Sequence, residues 1–255
     1  MPGSSDIIGD FSLEAYAELL GALREQGYAV RGFDAAEPGE RHLVLRHDID
    51  MSLDAALRLA EHEHAQGARA TYFVLLRTEF YNPFSGAGRT QLEQIRALGH
   101  EVGLHFDAAL YAPETDALEQ ACTRECRVLE EILGSAVEIV SFHRPAPALL
   151  GSEARLGGRR HTYEPRFFDE MGYCSDSRGG WHHGPPLEHP AVAEGRALQL
   201  LTHPIWWIGP PGDSIVGRLD GLARERHARF RQELAAHCEP YRDAGGGDAG
   251  SDDVD

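Results

Sequence analysis

A chain of 255 residues with 42% hydrophobic and 25% charged residues can build one large α/β core, and no composition shift near its middle argues for two. Its formal charge is −17 and all 24 basic residues are Arg, which argues against binding to nucleic acid or an anionic membrane, where clustered positive charge is needed. Residues 1–6 lack the basic start and apolar core of a signal peptide, and no apolar run approaches ~18 residues, so the expectation is a cytoplasmic protein with no membrane insertion.

Residues 12–26 have helical apolar spacing, with Ser12 at a capping position and Gly27 as the stop. A short strand is expected over 28–33, a polar loop over 34–41 and a strand over 43–47. A helix over 52–66 follows, ending at Gly67, and Asp50 or Ser52 can cap it. His62 and His64 sit two apart on that helix, on different faces, and read as solvated. The β-branched and aromatic run 71–76 is the next strand. Helices at 89–98 and 114–133, stopping at Gly99 and Gly134, alternate with strands at 101–105 and 137–142. Cys122 and Cys126 lie one helical turn apart and read as small core or surface residues rather than metal ligands.

Beyond these, 151–160 is Gly- and Arg-rich and reads as a loop, a strand is expected near 172, and 179–190 is an irregular excursion carrying Trp181. A strand over 197–201 and a solvated helix over 213–238 close the chain. The domain organisation expected is a single catalytic domain over 1–241 and a disordered acidic, Gly-rich tail over 242–255.

Strand and helix alternating at this rhythm belong to parallel α/β folds, in which functional residues gather at the carboxyl ends of the strands. The strand at 43 delivers His47, Asp48 and Asp50 there; the one at 101 delivers His105 and Asp107. The strand at 137 delivers His143 and Arg144, the one near 172 Asp176 and Arg178, and the one at 197 His203. Five strands each ending in His, Asp or Arg make independently placed surface residues a poor explanation. Asp48 and Asp50 are two apart, so in an extended chain both face one site, and two carboxylates there need a cation or a shared proton between them.

In order, Asp48-Ile-Asp50, the run from Gly99 through His105, Arg144-Pro145, Asp176 with Trp181, and the run from Leu200 through Pro204 resemble the five motifs of the polysaccharide deacetylase (NodB-homology) family. The resemblance spans about 43–208. It implies a distorted (β/α) barrel, commonly seven-stranded, and hydrolysis of an N-acyl group, usually acetyl, from an amino sugar. Carried over residue by residue, it implies Asp50 and His105 as metal ligands and Asp48 as general base. It likewise implies His203 as general acid, with Arg144 and Asp176 as the pair that orients and tunes the base. The cation implied is divalent: zinc first, cobalt or nickel next. The partner implied is a small-molecule or glycan substrate, with Trp181 and Trp206 as its binding wall.

The residues support this chemistry independently. A divalent cation polarises a poorly electrophilic amide and lowers the pKa of water toward ~7, a carboxylate takes the water's proton, and an imidazole supplies one to the leaving amine. Two positions depart from the family pattern. Four residues after His105, where the family has a second His, stands Ala109, so a third ligand must come from elsewhere: His143 first, Asp107 second, His47 third. Where the family uses a backbone N–H to hold the oxyanion, Pro147 has none. Alternative functions are a C–N hydrolase or deformylase of a non-sugar amide, and a catalytically silent barrel binding glycan through Trp181, Trp206 and Trp207.

Overall fold

The computed structural model describes residues 11–182, 184–210 and 212–246. The chain read as one domain over 1–241 falls, among the described residues, into two compact units, 11–210 and 212–246.

The larger unit is a parallel β-sheet of eight strands: β1 (Ala29–Val30), β2 (His42–Ile49), β3 (Thr71–Val74), β4 (Glu101–Phe106), β5 (Ile139–Phe142), β6 (Arg160–His161), β7 (Gly172–Ser175) and β8 (Leu198–Thr202). Seven of them follow the order β6-β5-β4-β3-β2-β8-β7, while β1 pairs with the start of β2. Parallel strands need crossovers, which here carry helices α2 (Leu53–Ala65), α3 (Gly86–Ala97), α4 (Thr115–Leu133), α5 (Pro165–Phe168) and α6 (Pro190–Glu194), while α1 (Leu13–Glu25) precedes β1 and α7 (Pro204–Trp207) follows β8. The sheet curls into a distorted (β/α) barrel that stays open between β6 and β7. Side chains bridge that gap: Tyr163 and Tyr173 approach to 6.3 Å, and Gln199 on β8 donates to the carbonyls of Thr162 and Phe167.

The helix ends follow their capping residues. Ser12 and Ser52 accept the amide protons of Ala15 and Ala55, each at 3.1 Å, so Ser52 is the cap of α2 and Asp50 is left for other work. α4 stops at Gly134, whose φ of 64° suits a residue without a Cβ.

Alternation along β2 sorts its side chains into two environments. Val44 joins Phe33, Phe73, Ile139 and Phe167 in a buried apolar cluster, while Arg46 and Asp48 stand above it inside the barrel. On the opposite face His47 meets α2: its Nε2 lies 2.9 Å from Glu63 Oε1 and its Nδ1 2.6 Å from Thr202 Oγ1. Glu63, flanked by the solvated-looking His62 and His64, is fully buried and also accepts from the hydroxyls of Tyr16 (2.6 Å) and Tyr72 (2.7 Å).

The second unit contains α8 (Ile215–His237), capped by Ser214, and α9 (Glu239–Asp243). The expected disordered tail begins at 242, but α9 runs to Asp243; its residues 247–255 lie outside the described residues. Three further elements are shorter than any periodicity can reveal: β6 at the end of the expected 151–160 loop, and helices α5 and α6. No helix among the described residues is long and apolar enough to cross a membrane.

Candidate metal centre

At the carboxyl end of β2 the chain continues the alternation of Arg46 and Asp48 with Asp50, so three charged side chains rise along one face toward the mouth of the barrel. β4 brings His105 and the residue after β5 brings His143 to the same place. Asp50 Oδ1 lies 3.2 Å from His105 Nε2 and 3.2 Å from His143 Nδ1. Among the described residues, these three form the group of His, Cys, Asp or Glu side chains whose ligand atoms converge, all within 4.8 Å of one another.

Asp50 Oδ1 is buried and has no hydrogen-bond partner, although two imidazole nitrogens stand beside it. A buried carboxylate oxygen beside two imidazole nitrogens is an arrangement that can hold a cation. Ligand bonds of about 2.0–2.2 Å at tetrahedral angles would put neighbouring donor atoms about 3.4 Å apart, close to what is seen. Two imidazoles and one carboxylate are a donor set that suits zinc and its neighbours, so the residues fit the implied group. Burial pushes the Asp50 carboxyl up, but the surrounding imidazoles outweigh it and hold the group far below the usual carboxylate range. The same carboxylate raises His143 above the ordinary imidazole value.

The other two candidates for the third ligand are engaged elsewhere. Asp107 accepts both oxygens' worth of hydrogen bonds from Arg144, with Nε 3.0 Å from each, and caps the turn at Ala109. His47 faces Glu63 and Thr202 on the helix side of β2.

Asp48 sits below Asp50, with Oδ2 3.6 Å from His105 Nε2. Its guanidinium partner is Arg46, two residues earlier on the same strand, through Nε to Oδ1 (3.0 Å) and Nη2 to Oδ2 (2.8 Å). Arg46 is itself fixed by Gln199 and lies over the rings of Tyr163 and Phe73. Burial pushes the Asp48 carboxyl up, but Arg46, with His105 and His203, more than offsets this and keeps it below its ordinary value.

The expected pairing of Arg144 with Asp176 as tuners of the base is not what the structure has. Arg144, its side chain 55% exposed, goes to Asp107. Asp176 instead holds His203: Oδ1 lies 2.6 Å from the ring Nδ1, and both oxygens accept the His203 backbone N–H. Trp207 Nε1 donates to Asp176 Oδ2 at 2.7 Å and completes its environment. The physical reason for the exchange is occupancy: a guanidinium on β2 already takes both oxygens of Asp48. With Nδ1 committed to Asp176, His203 turns Nε2 toward Asp50 Oδ2, 3.7 Å away. Burial lowers the His203 imidazole, but Asp176, with Asp50 and Asp48, outweighs it and the group is pushed up to about 9, so it carries a proton at neutral pH.

The aromatic wall is also rearranged. Trp206 is 5% exposed with a buried, unpartnered Nε1, so it offers little face to a ligand. Trp181, half-buried, packs edge-on against Phe11 at 5.6 Å and leans on Trp207 at 6.1 Å. Pro147 opens a short 3-10 turn to Leu149. Sequence reasoning missed Arg46, Ser141 and Trp207 as members of the site's support; the inward register of Arg46 with Asp48 and Asp50 was the available signal.

No protein-family model and no curated protein matches the sequence. Among solved structures, the chain is similar to a family 4 carbohydrate esterase from Bacillus anthracis at 16% identity and a TM-score of 0.41, over 73% of this chain and 76% of that one. It is similar to a chitin deacetylase from Colletotrichum lindemuthianum at 21% identity and 0.36, over 53% and 58%. A family 4 acetyl xylan esterase from Clostridium thermocellum, in complex with a cobalt ion, aligns at 14% identity and 0.38, over 73% and 84%. Likeness at these values carries no argument about chemistry, which rests here on the chain's own residues. By its motifs this chain resembles polysaccharide deacetylases, and these three among the solved structures it is similar to bear the names of carbohydrate esterases and deacetylases.

Proposed function

We propose that the protein is a metal-dependent hydrolase that removes an N-acyl group, acetyl first among candidates, from an amino sugar or a sugar-containing intermediate. The observation that carries this reading is the convergence of Asp50 Oδ1, His105 Nε2 and His143 Nδ1 around a buried oxygen that has no hydrogen-bond partner. A divalent cation bound there supplies a polarised carbonyl and a water acidic enough to attack at neutral pH.

The chain's own residues supply the rest. Asp48, beside the ligands but not among them, accepts the proton of the attacking water; its Arg46 fork keeps it ionised and oriented. His203, protonated and steered by Asp176, delivers a proton from Nε2 to the departing amine. Base and acid therefore approach Asp50 from different strands, β2 and the end of β8. Burial of Trp206 and Trp207 weakens the alternative of a silent aromatic platform.

The test is to load the purified chain with zinc, cobalt or nickel and measure acid release from N-acetylated and N-formylated amino sugars and from simple amides. Acetate from sugars alone supports the reading; formate or non-sugar amide turnover alone moves it to the other C–N hydrolase. Absence of turnover together with absence of a stoichiometric cation overturns it.

A further inference from the structure

Neighbouring parallel strands β4 and β5 pair in a register that sets His105 directly beside Ser141. Both are buried. His105 Nδ1 lies 2.7 Å from Ser141 Oγ, and the same hydroxyl lies 3.3 Å from Asp48 Oδ1. Three side chains from three strands thus form a line, Asp48 to Ser141 to His105, ending at Asp50.

One proton assignment makes both contacts of Ser141 hydrogen bonds. A guanidinium has donors only, and Arg46 directs two of them at the two oxygens of Asp48, so that carboxylate is an acceptor. Ser141 owns a single hydroxyl proton, which goes to Asp48 Oδ1. Its oxygen is then left to accept, and the group facing it is His105 Nδ1, which must carry a proton to donate. A neutral imidazole has one N–H. With that proton on Nδ1, the lone pair is on Nε2, the atom 3.2 Å from Asp50 Oδ1.

We infer that Ser141 is a positioning residue: by accepting from His105 Nδ1 and donating to Asp48, it fixes the imidazole in the tautomer whose Nε2 can bind the cation. This rests on the metal-dependent reading above and deepens it. The hydroxyl does two jobs at once, since it also orients Asp48 relative to the ligand it serves. Without it, His105 can carry its proton on Nε2, pointing N–H rather than a lone pair at the cation.

Two measurements on the full chain test this. The first is nitrogen-15 NMR of the histidine rings in the wild type, chelated and then with zinc added. A proton resident on His105 Nδ1 in the chelated chain, with zinc on Nε2 after loading, is expected; a bare Nδ1 in the chelated chain overturns the inference. The second is the zinc dissociation constant of Ser141→Ala, with the metal-free melting temperature as a folding control. A loss of affinity of about 10- to 100-fold is expected, as for other partners that orient a ligand from behind. Affinity within twofold of wild type overturns the inference, and Ser141→Thr, which keeps the hydroxyl, is expected to recover most of the loss. If Ser141→Ala does not fold, the ring spectrum of the wild type decides alone. A wild type that binds no zinc yet holds the proton on Nδ1 removes the metal-dependent reading and leaves the hydrogen-bond line standing, so the two failures are distinguishable.

Discussion

Arg46 and Asp48 are two residues apart on β2 and face each other inside the barrel, joined by paired hydrogen bonds of 3.0 and 2.8 Å with both side chains almost wholly out of solvent. The charge partner of the proposed base is therefore built into its own strand. Arg46→Met leaves a buried carboxylate unpaired, and the expected loss is about 3–5 kcal/mol in unfolding free energy, read from urea denaturation. Arg46→Lys keeps the charge and loses the fork, and is expected to fall between the two.

Turnover separates the two arginines. Asp48→Asn is expected to lower kcat by about 10²- to 10⁴-fold while the cation stays bound, because Asp48 is not among the converging ligand atoms. Arg144→Ala leaves the Arg46 fork untouched and is expected to cost kcat less than about tenfold. Steady-state kinetics on metal-loaded protein compares them directly, and a collapse of kcat in Arg144→Ala would contradict the arrangement seen.

His143→Ala removes one of the converging atoms. Cation affinity is expected to fall by more than the ~100-fold that a partner behind a ligand costs, measured by metal titration with an elemental count. Asp107→Asn, by contrast, is expected to keep the cation, since Asp107 is occupied by Arg144.

Asp176→Asn is expected to lower kcat by about 10²-fold or more, with a smaller effect on KM. The variant keeps the outline of the side chain but loses the negative charge that makes His203 a ready proton donor.

Glu63 supplies a pH test away from the reacting groups. Burial pushes its carboxyl up, but His47, Tyr16 and His100 more than compensate and hold it below the ordinary Glu value. A depressed carboxyl contributes stability that is present above its unfolded pKa of about 4.3 and is lost as pH falls through the folded value. Denaturation midpoints of the wild type should therefore fall as pH drops below about 4.3, and those of Glu63→Gln, already lower at pH 7, should fall less steeply.

Much of the barrel is legible in the sequence because its strands and longer helices obey simple periods with clear stops at Gly27, Gly67, Gly99 and Gly134. The convergence of Asp50, His105 and His143 was reachable from strand ends alone, since parallel strands present their carboxyl ends on one side. What was not reachable was the partner of each charge. Arg46 sits inside an apolar run and reads as an interruption of it, yet its guanidinium stacks on Tyr163 and Phe73 in the lumen. Glu63 stands between two histidines on a helix that looks polar there, and is buried only because Tyr16, Tyr72 and His47 come from three other elements to meet it. Arg144 and Asp176 each sit where a strand ends, but which of several neighbouring carboxylates and imidazoles each one meets depends on three-dimensional placement.

The alternation along β2 has a consequence for how this protein can change. Val44, Arg46, Asp48 and Asp50 share one side of a ribbon whose other side carries Leu43, Leu45, His47 and Ile49. Inserting or deleting a single amino acid in that ribbon would swap the two sides, sending the charges into the greasy outer layer and the leucines into the chamber. Architecture and chemistry are thus written on the same few letters, and neither can drift without the other.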